Sequence, residues 1–269
     1  MKIPQFIACC ALLGGALSGA RRASAAERHF GFSYETTLLR PGQAELQPWS
    51  TLRLGRADYY NRIDARLGFE IGLLKNLQAA LLWNASSTTE DLRLPGASVK
   101  SRLSDSELDS FSLQLKYKLS DPVADALGSA LFVEASSGPL QASIEGRLIL
   151  DEQLGSFLFN ANLVGGTVEL WELRSSTRGS FGATLAAGYF ATPNLVTSLE
   201  VRNENGFSGH LDDSVLYLGP SVSFTSSRYW VTLAVQPQIV AFKGASSGRT
   251  LDLNQNEYVQ SRILLGLAL

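Results

Sequence analysis

The chain has 269 residues, 45% of them hydrophobic and 18% charged, and a formal net charge of −2. That balance, with no block of basic residues, argues against a nucleic-acid binder. The 24 glycines and single methionine lean towards β structure, and without 18 consecutive apolar residues anywhere a helical membrane protein is excluded.

The first element reads as an export signal. Lys2 gives a positive start, "FIACCALLGGALSGA" (Phe6 to Ala20) an apolar run, and "ASA" (Ala23 to Ala25) a small-x-small cleavage site. The run is short of the ~20 residues a spanning helix needs, so cleavage is expected rather than anchoring. Arg21 and Arg22 follow the run, so they are not a twin-arginine motif, and "FIA" before Cys9 fits a lipobox poorly. Cys9 and Cys10 are the only cysteines. Removing residues 1–25 therefore leaves no disulfide, thiolate metal site or thiol nucleophile. It also takes away Lys2, Arg21 and Arg22, leaving 20 basic against 25 acidic residues and a net charge of −5.

Beyond the signal, apolar and polar residues alternate in run after run, the period of a β-strand with two unlike faces. The first strand is expected over Gln43 to Leu54, with Trp49, Thr51 and Arg53 on its polar face. The second runs from Arg62 to Leu73 and the third from Leu77 to Ala85. The fourth, Asp109 to Leu119, sets Phe111, Leu113, Leu115 and Tyr117 against Ser112, Gln114, Lys116 and Lys118. The fifth is Gly128 to Ser137 and the sixth Leu140 to Leu150. The seventh is Leu154 to Leu173, kept whole despite Gly165-Gly166; splitting it there would give thirteen strands, and single-chain bacterial barrels use even numbers. The rest are Gly179 to Phe190, Leu195 to Glu204, Ser214 to Phe224, Tyr229 to Phe242 and Glu257 to Leu269, twelve in all.

The links alternate in length. Those after even strands ("LKN", "DEQ", "ATPN", "TSSR") are mostly short and rich in turn formers. Those after odd strands include the long polar stretches Ser86 to Leu108 and Lys243 to Asn256. One end with tight turns and one with long loops is the pattern of an outer-membrane barrel with both chain ends in the periplasm. Tyr117, Tyr189, Phe190, Tyr229 and Trp230 fall near the turn ends. Tyr59, Tyr60, Trp83, Trp171, Tyr217 and Tyr258 fall near the loop ends. Two aromatic girdles at the headgroup levels are expected from them.

Alternation alone also fits a soluble β-sandwich. The signal, the absence of cysteine, the girdles, the link pattern and the last strand together favour an all-β transmembrane barrel. In lipid, a sheet edge would leave backbone groups unpaired at several kcal/mol each, so the sheet must close. The predicted organisation is a cleaved signal (1–25), an N-terminal periplasmic segment (26–42) with His29 an exposed tail residue, and an antiparallel up-and-down barrel of about twelve strands (43–269). The terminal "YVQSRILLGLAL" resembles the signal read by the barrel-assembly machinery, although it ends in Leu269 rather than an aromatic residue.

"YETTLLRPGQAELQPWSTLRLG" (Tyr34 to Gly55), "NLVGGTVELWEL" (Asn162 to Leu173), "SLEVRNENGF" (Ser198 to Phe207) and "LYLGPSVSFTSSRYWVTLAVQPQI" (Leu216 to Ile239) resemble a family of uncharacterised Gram-negative outer-membrane β-barrels. That family is similar to barrels labelled as transporters beside aromatic-degradation pathways. The resemblance implies fold and location, and brings no catalytic residue with it.

The inward charges are the candidate site. Arg53, Arg66, Glu70, Glu134, Glu145, Arg147, Glu200, Arg202 and Arg262 are expected to line the lumen. They either set the selectivity of a pore or pair across strands and close it. The mixed signs argue against a strongly ion-selective filter. A passive channel or facilitator for small solutes is the leading expectation, with a non-conducting surface-interaction barrel second. An outer-membrane lipid hydrolase is third: "NENGFSGH" (Asn203 to His210) brings Asn, Ser and His together, but in the wrong order and in a loop. With two histidines and no calcium-loop pattern in "LDLNQNE" (Leu251 to Glu257), neither metal nor cofactor is expected. The expected partners are outer-membrane lipid, the barrel-assembly machinery and a small solute, with no nucleic acid.

Overall fold

The structure, a computed structural model, describes residues 28–92, 100–139, 141–171 and 177–269. The expected signal peptide lies outside them. Twelve strands follow in order: β1 (Ala44–Leu54), β2 (Tyr60–Leu74), β3 (Leu77–Leu92), β4 (Ser101–Ser120), β5 (Gly128–Ser137) and β6 (Gln141–Leu154), then β7 (Phe157–Trp171), β8 (Thr177–Thr192), β9 (Leu195–Phe207), β10 (Leu211–Thr225), β11 (Tyr229–Lys243) and β12 (Val259–Ala268). Each pairs antiparallel with the next. β1 also pairs with β12, from Glu45 opposite Ala268 to Leu54 opposite Val259, so the sheet closes on itself and has no edge.

The alternation maps onto the two faces of the wall. Along β4, Phe111, Leu113, Leu115, Tyr117 and Leu119 are exposed on the outside, while Ser110, Ser112 and Gln114 are buried inside. Period-two side-chain geometry allows no other arrangement once one face turns inward. Gly165 and Gly166 sit where the register of β7 shifts between Val164 and Thr167, a bulge within one strand, so the count remains twelve. Links of two residues join β2 to β3, β6 to β7 and β8 to β9 at one end, and residues 244–258 make a long link at the other.

Several expectations change. The polar stretch Ser86 to Leu108 is mostly strand: β3 and β4 continue as a paired hairpin to Leu92 and Ser101, well beyond the expected ends. Thr89 and Ser104 hydrogen-bond across it at 2.9 Å, and Arg102 binds Asp91 at 2.8 Å. The aromatic girdles are thinner than expected. Tyr59, Trp83, Tyr117, Tyr189, Tyr229 and Tyr258 are exposed, but Tyr60, Tyr217 and Trp230 are buried and Phe190 packs inward against the Phe30 cluster. The reason for two of these is parity: in the doublets Tyr189-Phe190 and Tyr229-Trp230, successive residues of a strand point to opposite faces, while Tyr60 opens β2 with its side chain inward and Tyr59 precedes the strand. The side chain of Trp171 lies outside the described residues.

Two segments expected outside the wall are found within it. "LDLNQNE" folds into the wide mouth, where Asp252 is fully buried and its carboxylate accepts from the Asn254 N–H and the Asn256 amide. More consequentially, residues 28–42 do not hang free beside the barrel. They run inside it, with Phe30, Phe32, Tyr34 and Leu39 buried, and His29, expected to be exposed, is buried against Glu35 at 2.7 Å. Each buried apolar side chain contributes about 1.5–3 kcal/mol relative to exposure, which gives the segment reason to enter.

Candidate functional site

A chain that is neither helix nor sheet has unpaired backbone groups, and inside a barrel it must find partners for them. The wall supplies them as side chains. The Glu200 carboxylate on β9 accepts three successive N–H groups, from Gly31 (2.7 Å), Phe32 (3.0 Å) and Ser33 (2.9 Å), and the Ser221 hydroxyl (2.9 Å). Asn162 on β7 accepts from Tyr34 N–H at 2.8 Å, Asp151 on β6 from Thr36 N–H at 2.7 Å, and Gln78 on β3 from Leu39 N–H at 2.8 Å. The Tyr34 carbonyl accepts from the amides of Asn160 and Asn162, the Arg28 carbonyl from Ser223 and Thr232, and the Gly31 carbonyl from Arg262. Partners thus come from strands on all sides, and the segment crosses the lumen as a plug.

Close approach is built in at both ends of this crossing. A Cβ on Gly31 would stand 2.3 Å from the Cβ of Ala234, and one on Gly72 would stand 2.3 Å from the Arg40 carbonyl oxygen. Glu35 lies on this inner segment and not on a spanning strand. Burial alone would raise its carboxyl, but the paired His29, together with the Arg28 guanidinium, outweighs burial and holds it below the usual carboxylate range. Beneath the plug, a pocket of about 20 Å³ among Arg28, Glu35, Glu70, Gln78 and Lys116 has room for roughly one water.

Above the plug lies a polar cavity of about 790 Å³ that extends to the long-loop end. Its floor alternates guanidinium and aromatic groups. Arg202 and Arg262 lie 4.3 and 4.1 Å from the Phe32 ring, Arg147 lies 4.5 Å from Tyr34, and Arg66 and Arg262 both lie 4.9 Å from Trp49. The negative faces of these rings offset part of the cost of packing cations together. Higher up, arginines pair with carboxylates: Arg53 with Asp64, Arg56 with Glu257, Arg62 with Asp64, Arg147 with Glu145 and Arg202 with Glu204. Arg66 meets Glu134 through two parallel bonds of 3.0 and 3.2 Å, the strongest geometry available to the pair.

Of the nine residues singled out from the sequence, Arg53, Arg66, Glu134, Glu145, Arg147, Arg202 and Arg262 line the cavity. Glu70 lines the small pocket under the plug. Glu200 faces the plug itself and is 1% exposed. The aromatic floor residues Phe32 and Tyr34 were missed, together with Arg28. Nothing in their local pattern distinguishes a segment that folds into a lumen from one that hangs below it, although the run "FGFSY" is more apolar than an exposed tail needs to be.

The loop with the three hydrolase-type residues is not arranged for nucleophilic attack. His210 is exposed, and both it (3.0 Å) and the Ser208 hydroxyl (2.9 Å) bind the same Asp212 oxygen, so the acid stands between hydroxyl and imidazole. Among the described residues, no group of His, Cys, Asp and Glu could hold a metal.

Residues 22–148 and 164–269 match the model of a family described as "Family of unknown function (DUF6662)", and the chain belongs to that family. The comparison with curated proteins found no match. Among solved structures, the NanC porin is similar with a TM-score of 0.54 at 8% identity, over 83% of this chain and 100% of that one. CdiB from Acinetobacter baumannii has a TM-score of 0.44 at 8% identity, covering 92% of this chain and 66% of that one. OmpF of Salmonella typhi, in complex with daunomycin, has 0.36 at 8% identity, covering 84% and 96%. At such identity the NanC likeness shows the fold alone, a closed barrel of outer-membrane type. The other two scores carry no argument. None of the three descriptions connects the fold to aromatic degradation.

Proposed function

We propose that this member of the family is a gated outer-membrane channel for small polar solutes, shut by its own N-terminal segment. On this reading the signal is removed on export, β12 is recognised by the barrel-assembly machinery, and the apolar outer face meets lipid. The short turns and chain ends lie in the periplasm, and the cavity opens to the outside. The observation that carries the reading is a polar cavity of about 790 Å³ whose floor is non-strand chain held by side-chain hydrogen bonds. Such a segment can leave without breaking any strand pair of the wall, so opening costs the contacts of the segment itself and leaves the barrel intact.

The Ser33 hydroxyl donates to Thr184 Oγ1 on β8 at 3.1 Å. Cysteines at both positions (S33C/T184C) would place two sulfurs close enough to bond after a small shift. In a planar bilayer, the oxidised variant is expected to be silent and the reduced one to show discrete conductance steps. A reduced variant that folds and stays silent would overturn the channel reading. It would leave a non-conducting barrel that acts through its outer surface, which the fully exposed extension of β4 (residues 101–108) favours. The arrangement around His210 lends no such support to a lipid hydrolase.

A further inference from the structure

Among the described residues, eight arginines and seven carboxylates line the outer cavity. Seven of these arginines have a carboxylate partner. Among the described residues, Arg262 has none. Its Nε donates to the Thr51 hydroxyl at 2.8 Å and its Nη1 to the Gly31 carbonyl at 3.2 Å, both neutral acceptors. Its Nη2 donates to no described residue. The guanidinium rests on the rings of Phe32 and Trp49 at the cavity floor, and it borders open space. On the plug side of the same indole, Arg28 has its Nη2 buried without a hydrogen-bond partner. The Arg28 charge faces Glu35 and Glu70 across the small pocket, so among the described residues Arg262 is the cation beside Trp49 without a carboxylate, and the described lining of the cavity is one negative charge short of balance.

From this geometry we infer that the cavity floor is a binding site for a polar organic monocarboxylate, with its carboxylate on Arg262. The reasoning is chemical. A guanidinium edge matches two planar carboxylate oxygens and binds them more strongly than a neutral acceptor. A single negative charge completes the balance of the lining, whereas a dianion would place excess charge among seven carboxylates. The volume is that of a site for an organic molecule rather than a halide. Thr51, Asn84, Ser110, Thr184 and Asn203 offer hydroxyl and amide partners to a hydroxylated body. The inference deepens the channel reading by naming its solute class. Its test is binding, which does not need an open channel.

The purified full-length barrel in detergent is titrated calorimetrically with gluconate, with sorbitol as the neutral analogue and succinate as the dianion, in chloride-free buffer. Gluconate is expected to bind and sorbitol not to, with succinate weaker than gluconate. Arg262→Gln should weaken gluconate by about ten- to a hundredfold, the loss of one charge-assisted pair. Arg262→Lys should recover part of it. Arg249→Gln, which removes an exposed arginine outside the cavity lining, should leave gluconate binding unchanged. The heat-dependent gel shift of a folded barrel checks each variant. Equal gluconate binding by a folded Arg262→Gln protein, equal binding of sorbitol, or no gluconate binding by the native protein at tens of millimolar would each overturn the site. Binding without conductance would uphold the site and sink the channel reading instead.

Discussion

Glu200→Ala should open the barrel. The Glu200 carboxylate is the acceptor for three consecutive plug N–H groups at 2.7–3.0 Å. Truncation leaves those donors facing a small void, and each buried donor without a partner costs about 1–3 kcal/mol. Water entering the void recovers part of that, so a net penalty of about 4 kcal/mol on plug docking is a reasonable central value, roughly a thousandfold in the docked-to-released ratio. Glu200→Gln keeps one acceptor oxygen and turns the other into a donor. It should cost less, about 1–2 kcal/mol or roughly a tenfold shift. The assay is open probability in single-channel recordings, in parallel with limited proteolysis of residues 28–42 in the folded barrel. The expected order is Ala above Gln above native in both readouts. Unchanged open probability and unchanged protection in a folded Glu200→Ala barrel would refute the idea that this carboxylate clamps the plug.

Two other perturbations act on the same segment. Gly31→Val has to fit a Cβ where Ala234 Cβ stands 2.3 Å away, so overpacking of about 1–3 kcal/mol should make the segment protease-sensitive while the wall keeps its heat-dependent gel shift. Loss of the shift itself would mean the glycine supports the wall rather than the plug. Glu35 has its carboxyl held below the ordinary range by His29, together with Arg28, although burial opposes this. A lowered folded value means that its contribution to docking is present above the unfolded value of about 4.3 and is lost as pH falls through the folded one. Open probability should therefore rise in that acid range in the native protein, and this component should be missing in Glu35→Gln. An identical acid response in both proteins would remove Glu35 from the gate.

Much of the barrel was legible in the sequence. The runs from Arg62 to Leu73 and from Ser110 to Leu119 alternate strictly, and a strand with that pattern must present unlike faces. Twelve runs, with the bulge glycines of β7 kept inside one strand, were enough to set the number of staves. The same alternation placed Arg66, Glu134, Arg147, Arg202 and Arg262 inside the lumen. Closeness to a strand end does not by itself make a girdle residue: Tyr60 and Trp230 lie at girdle height but face inward, and their neighbours Tyr59 and Tyr229 hold the outward places.

The sequence by itself determined which residues face in and which face out, because that follows from a local period of two in a strand. Only the tertiary structure decided what fills the lumen. The bonds from Glu200 to Gly31, from Asn162 to Tyr34 and from Asp151 to Thr36 join residues more than a hundred positions apart. No local pattern encodes them, since an irregular segment shows no period and its partners are ordinary polar residues of distant strands. Closing the barrel brings those acceptors around one axis. It also leaves Arg262 at the floor without a carboxylate among the described residues, a fact about pairing in space that neither its strand nor its neighbours in sequence could reveal.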